Sequence, residues 1–231
     1  MLKFYPKTRD DKMLPKIILH NSISIDGSLT NFEPNMGLHY WIAGNYKPDA
    51  HLIGSNTIKK GIELYGEGVP PEEKKDFEKQ ERTKSLPYWV IIDTHGNLKG
   101  LLHTCRRFEF CKDVIVLLSE KTPKSYLNYL KERNYDYNIA GKDHVNLKKA
   151  LDLLSNKYQV KTILTDTGRI LGNLLLSQGF VSEISLLIHP IIVGNESYNM
   201  FSDINKNLKL KLLKKETLEE QYIWLVYKVE K

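Results

Sequence analysis

Two short segments carry residue types suited to holding a phosphate. Gly54-Ser55-Asn56-Thr57 follows the apolar run Leu52-Ile53, and Thr165-Asp166-Thr167-Gly168-Arg169 follows Ile163-Leu164. In each, glycine and hydroxyl residues stand between a strand pattern and a helix pattern, where backbone N–H groups and the helix dipole attract an anion. Gly54 permits close approach, Ser55 or Thr57 offers a hydroxyl donor, and the Arg169 fork matches a phosphate. Two such turns in one sheet favour a dinucleotide whose pyrophosphate spans them. The same residues also read as plain helix starts, with Asp166 or Thr167 as the cap and Arg169 in solvent. Neither turn is a Gly-x-Gly-x-x-Gly fingerprint and no Walker loop is present, which argues against a standard Rossmann domain.

The elements that must position these turns alternate between strand and helix. Lys16 to Ile25 reads as a strand that turns at Asp26-Gly27, and His51 to Ile53 as a short strand leading into a helix over Asn56 to Leu64. Tyr88 to Ile92 and Val114 to Leu118 are continuous apolar runs, the pattern of strands buried on both faces. A helix follows over Pro123 to Arg133, then a strand over Tyr135 to Ile139 and an amphipathic helix over Leu147 to Tyr158. Thr162 to Leu164 predicts a strand, Ile170 to Ser177 a helix stopped by Gly179, and Ile184 to His189 another strand. Lys209 to Leu213 and Tyr222 to Val229 read as an antiparallel pair. The expected fold is α/β: a mixed, mainly parallel sheet covered on both faces, with an antiparallel C-terminal hairpin. Ligands then bind beyond the carboxyl ends of the parallel strands. Residues 1–231 read as one domain, with a charged N-terminal extension (1–15) and a charged segment (66–86) in which Glu72 to Arg82 is expected as a solvated helix or an excursion.

Composition narrows the function classes. The chain has 231 residues of which 41% are hydrophobic, ample for a sizeable core, and its charged start offers no signal peptide or spanning stretch, so it reads as cytoplasmic. Cys105 and Cys111 are too few for a disulfide framework and match no common zinc spacing, so no metal is expected. His39, His51, His95, His103, His144 and His189 form no metal-type spacing and are assigned no chemistry. The formal charge is +6, yet 28 of the 34 basic residues are lysines spread along the chain. That distribution makes nucleic acid an unlikely partner and suits a phosphorylated substrate or cofactor. The lack of a Gly-x-Ser-x-Gly elbow argues against a hydrolase.

Five blocks in order carry a further signal: Ser24-Ile25-Asp26-Gly27, Asp49 to Thr57, Pro87 to Asp93, Ile163 to Gly168, and Gly179 to Ile184 leading to Pro190-Ile191-Ile192-Val193-Gly194. Over roughly residues 16 to 230 the chain resembles the 5-amino-6-(5-phosphoribosylamino)uracil reductase family of riboflavin biosynthesis, which shares the three-layer dihydrofolate-reductase-like fold. The resemblance implies NADPH as hydride donor, a phosphorylated small-molecule substrate and a homodimer, with no membrane. It implies that Gly54, Ser55 and Thr57 hold phosphate, and that Thr165, Asp166, Thr167, Gly168, Arg169, Ile170 and Leu171 line the pyrophosphate and nicotinamide ribose. Ser119 would lie near the adenosine 2′-phosphate. Asp26 matches the family's aspartate beside the nicotinamide and is expected to orient groups or manage a proton there. His20, Ser24 and Asp93 are expected on the substrate side, His20 being taken as the one histidine on a strand leading into the site.

The chain departs from the family at two places. The family's Glu-Gly-Gly is Asp166-Thr167-Gly168 here, and Lys59-Lys60-Gly61 stands where relatives carry an acid after the threonine. Two other readings remain: a dihydrofolate-reductase-like reductase of another heterocycle, and a non-catalytic nucleotide- or nucleic-acid-binding relative.

Overall fold

Every side chain of the strand Val114–Leu118 is buried, and the alternation of its residues shows what covers each face. Ile115 and Leu117 join a core with Leu147, Leu151, Leu154, Leu175 and Leu176, whereas Val114, Val116 and Leu118 join one with Ile58, Leu102, Tyr126 and Leu130. A strand can bury both rows only between two helical layers, and each fully buried aliphatic chain stabilises by roughly 1.5–3 kcal/mol. The structure is a computed structural model and describes residues 14–65, 68–79, 81–83 and 85–230.

In chain order the elements are β1 (Lys16–Ser24), α1 (Met36–Asn45), β2 (Ala50–Gly54), α2 (Ser55–Tyr65), β3 (Tyr88–Ile92), α3 (Leu102–Arg107), β4 (Val114–Leu118), α4 (Lys124–Glu132), β5 (Asp136–Ile139), α5 (Leu147–Tyr158), β6 (Thr162–Thr165), α6 (Arg169–Ser177), β7 (Val181–His189), β8 (Leu210–Leu218) and β9 (Tyr222–Val229), with short 3-10 turns at Lys74–Phe77 and Gly194–Glu196. One sheet of nine strands has the order β5-β4-β3-β2-β6-β1-β7-β9-β8. The first seven strands of that order are parallel, and β9 runs antiparallel to β7 and β8. Helices α5 and α6 cover one face, with α2, α3 and α4 on the other beside α1, whose Ile42 and Ala43 sit on Leu187, Trp224, Ile18 and Leu164. The architecture is the α/β fold expected from the strand pattern, a mainly parallel sheet covered on both faces with an antiparallel C-terminal hairpin.

Several elements differ from expectation. Helices α1 and α3 were not anticipated: α1 is set by Asn35, whose side chain accepts from the Leu38 N–H at 3.0 Å as an N-cap. The edge strands of the sheet are β5 and β8, so β9 lies inside it. The N-terminal extension falls outside the described residues up to position 13.

The charged segment is not a solvated helix. Asp76 is fully buried and holds Arg107 through Nε at 2.8 Å and Nη2 at 2.6 Å. Arg82 donates to the carbonyls of Phe108 and Cys111, and Arg133 meets Glu72. Beneath them Arg106, 1% exposed, donates to Asp113 Oδ1 at 2.9 Å and to the carbonyls of Asp76, Arg133 and Asn134, with the Tyr135 ring 3.8 Å away. Guanidinium groups that satisfy backbone carbonyls bind the segment to α3 and α4 as part of the fold. Arg106→Met removes four donors, leaves three carbonyls unpaired and strips the buried Asp113 of its guanidinium, so urea unfolding is expected to show a loss of about 3 kcal/mol.

Candidate active site

The neighbours β2 and β6 lie where the strand order reverses, and the helices that follow them leave to opposite faces of the sheet. Such a switch point opens a crevice beyond the carboxyl ends of the strands, the ligand position in open α/β sheets. The two candidate phosphate turns meet there. Thr167 Oγ1 accepts from the Gly54 N–H at 3.3 Å, and Thr57 Oγ1 accepts from the Gly168 N–H at 3.2 Å, a reciprocal stitch between the turns. Thr165 Oγ1 donates to the Leu52 carbonyl at 2.7 Å. A Cβ on Gly54 would stand 3.5 Å from Thr167 Oγ1, and one on Gly168 3.5 Å from Thr57 Oγ1.

Each stitching hydroxyl that accepts from an amide keeps its own hydrogen for a ligand. Helix α6 starts from Gly168 with no side-chain cap, and its first intrahelical donor is the Gly172 N–H. The amides of Arg169, Ile170 and Leu171 therefore face the crevice mouth without partners among the described residues, an arrangement that suits an anion. Ser55 is buried at the start of α2, Ile170 is exposed, and Leu171 lies beside Gly54. Arg169 points elsewhere: its Nε is 3.0 Å from Asp203 Oδ2 and its guanidinium lies over the Tyr198 ring, joining α6 to the segment after β7.

Asp166 is surrounded by histidines. Its carboxylate stands 3.6 Å from His39 Nε2. Burial pushes the carboxyl up, but the His39 contact and the nearby His51 and His20 outweigh it and hold the pKa at about 2. His20 is fully buried and is pushed down to about 3, first by burial and then by His39. Its Nδ1 is 3.0 Å from Ser185 Oγ and its Nε2 3.3 Å from the His39 carbonyl, so both ring nitrogens are engaged behind the crevice. His20 is not the one histidine on these strands: His51 lies on β2 and His189 ends β7. His39, assigned no chemistry in the sequence because the histidines show no metal-type spacing, joins the cluster from α1. Its signal was the Asn35 cap, which starts a helix and turns His39 onto Ser22.

Asp26 does different work from the cradles. It accepts from Ser24 Oγ at 2.5 Å and from the amides of Val193 and Gly194 at 3.1 and 2.9 Å, which hold its pKa at about 2. The Asp26-Gly27 turn needs glycine: Gly27 has φ +83°, and a Cβ would come 2.8 Å from Asn199 Nδ2. Asp93 is fully buried, with both oxygens taken by the Asn97 and Leu98 amides. Ser119 closes β4 and accepts from the Lys121 amide. A cavity of about 260 Å³ lined by Lys47, Asp49, Tyr88 and Lys112 lies at the amino ends of the strands and touches none of these residues.

The fold, with its crevice at the switch point, is of the dihydrofolate-reductase-like α/β class. Residues 15–224 match the RibD C-terminal domain model, and the chain belongs to that family. It is a reductase of the riboflavin-biosynthesis type. The chain is 25% identical over 178 residues to 2,5-diamino-6-ribosylamino-4(3H)-pyrimidinone 5′-phosphate reductase of Candida glabrata, covering 73% of this chain and 68% of the relative. Its structure is similar to a pyrimidine reductase-like protein from Corynebacterium diphtheriae (TM-score 0.67, 22% identity, 94% of this chain and 92% of the other). It is also similar to the riboflavin biosynthesis reductase Rib7 of Saccharomyces cerevisiae (TM-score 0.65, 16% identity, 96% and 93%). At these identities the structural likeness concerns the fold.

The histidine cluster makes stability depend on pH. The His20 ring has an ordinary value of 6.5 and a folded value of about 3, so the unfolded chain binds its proton first. The contribution is complete above pH 6.5 and is lost as pH falls toward 3, by up to about 1.4 kcal/mol per pH unit for this ring. Urea unfolding between pH 7 and pH 5 is expected to show stability falling as pH is lowered, and His20→Gln to reduce the slope, with the buried His51 and His189 keeping the remainder.

Proposed function

We propose that this chain reduces a phosphorylated ribosylamino pyrimidine with NADPH as the hydride donor. The observation that carries the reading is the pair of glycine–threonine turns stitched across β2 and β6 at the mouth of an uncapped α6. Family membership and the printed substrate of the Candida glabrata relative support the substrate class. The residues fit the cofactor: the unpaired amides at the start of α6 and the hydroxyl hydrogens of Thr57 and Thr167 are donors for a pyrophosphate. The adenosine 2′-phosphate is assigned to the turn after β4 that holds Ser119 and Lys121, joined by the Lys121 amide donating to Ser119 Oγ.

NADPH, when bound, supplies a hydride to an electrophilic carbon, either a C=N carbon or the opened sugar C1. The chain supplies placement. Asp26 stays ionised and pins the 191–194 segment to the end of β1, so its part is orientation of the cleft wall. Ser24 supports it, and Asp93 fixes the turn after β3. The exposed chains of Ile25, Ile170 and Ile192 give the rim apolar surface for flat rings.

The reading includes a cytoplasmic setting, consistent with Cys105 and Cys111 as buried free thiols, and a homodimer through the exposed Leu210, Leu212 and Leu213 of β8. Among the described residues no helix is long and apolar enough to cross a membrane.

Titration of nicotinamide fluorescence is expected to show tighter binding of NADPH than of NADH, followed by turnover of the pyrimidine; failure of both cofactors to bind would overturn the reading. Thr167→Val removes the acceptor of the Gly54 N–H and a ligand donor, and is expected to weaken NADPH about tenfold. Light scattering is expected to give twice the chain mass, and a monomer would remove the dimer.

A further inference from the structure

We propose that His39 is a positioning residue of the reductase site: with its Nε2–H turned toward Asp166 it holds that carboxylate in place at the mouth of the second phosphate turn. The inference rests on the reductase reading above and adds to it a residue outside the turns.

The direction of the imidazole follows from its two neighbours. Ser22 Oγ lies 3.1 Å from Nδ1, and Asp166 Oδ2 lies 3.6 Å from Nε2. A neutral ring protonated at Nε2 accepts the serine proton at Nδ1 and presents N–H to the carboxylate. An imidazolium presents N–H to both. The remaining tautomer would set the Nε2 lone pair against the carboxylate, so both favourable forms keep a donor on Asp166. The neighbouring Thr165 does not replace it. Thr165 donates its hydrogen to the Leu52 carbonyl, and among the described residues His39 is the one basic side chain within ion-pair distance of this carboxylate, at 3.6 Å.

The imidazole is in turn held from behind. The His20 ring stacks on it at 4.5 Å with a 30° tilt, and the Tyr40 ring meets its edge at 5.3 Å. His20 is engaged with Ser185 Oγ at 3.0 Å, and Ser185 Oγ accepts from Trp224 Nε1 at 3.0 Å. A buried polar chain thus runs from β9 through β7, β1 and α1 to one carboxylate at the crevice. Apolar packing would stabilise these positions at least as well, because desolvated polar groups cost what they return. The chain makes sense as a support that ends where a ligand begins. An anion beside a pyrophosphate is repelled, so a fixed Asp166 suits a ribose hydroxyl donor, and its orientation matters.

The variants His39→Gln and His39→Asn separate positioning from packing, since the glutamine amide nitrogen reaches the Nε2 place and that of asparagine the Nδ1 place. In fluorescence titration of the full chain, His39→Asn and Asp166→Asn are each expected to raise the NADPH Kd about tenfold or more, with His39→Gln within about threefold of wild type. The double variant H39N/D166N is expected to bind no worse than Asp166→Asn alone, because the two residues act as one unit. Wild-type-like binding by His39→Asn overturns the inference. So do losses that multiply in the double variant, or equal losses in His39→Gln and His39→Asn that track their thermal midpoints. If the wild-type chain binds no NADPH, the reductase reading falls together with this inference; if it binds and turns over while His39→Asn matches it, this inference falls alone.

Discussion

The short contact between β2 and β6 is the constraint on which the site depends. Only Ala50 with Ile163 and His51 with Leu164 are in ladder register, so the two strands meet briefly and then diverge into α2 and α6. The threonine stitch carries the junction past the end of the ladder, replacing lost backbone pairing with two side chain to backbone bonds. A crevice forms because the helices leave to opposite faces, and it stays narrow because the turns are tied. Were the strands paired along a full length, the turns would close on each other; were they untied, their donors would point nowhere in common.

The layers behind the crevice explain how polar residues are tolerated at its base. On β1, Ile17, Leu19 and Ile23 face the α5 and α6 core, and the other row passes from Ile18 to His20, Ser22 and Ser24 beneath α1. That row grows more polar toward the carboxyl end, where the ligand side begins. Each of its polar groups has a partner: Ser185 for His20, His39 for Ser22 and Asp26 for Ser24. His189 works in the same way from β7, accepting the Asn35 amide at Nε2 and so fixing where α1 starts.

Strands that carry both helical layers were legible because burial on two faces writes an uninterrupted apolar run, as in Val114 to Leu118. The two strand-to-helix turns were legible because glycine and threonine between an apolar run and a helical pattern mark a helix start. Helix α1 was hidden because its buried contribution is small, chiefly Ile42 and Ala43, while Trp41 and Tyr40 are exposed and asparagine and glycine dominate the local composition. The 68–83 segment looked solvated because charge density is visible in a sequence and the carbonyls that satisfy an arginine are not. His39 escaped notice for the same reason: its partners Ser22 and Asp166 come together only after the sheet has ordered β1 beside β6.

The outer hairpin has a consequence for how copies of the chain meet. Strand β8 is exposed along most of its length, carries Lys211, Lys214 and Lys215, and breaks register between Leu212 and Lys214. A bulged, lysine-bearing edge is a poor template for a further strand. Growth of the sheet therefore ends at β8, and this side offers no template for open-ended strand addition of the kind that builds fibres.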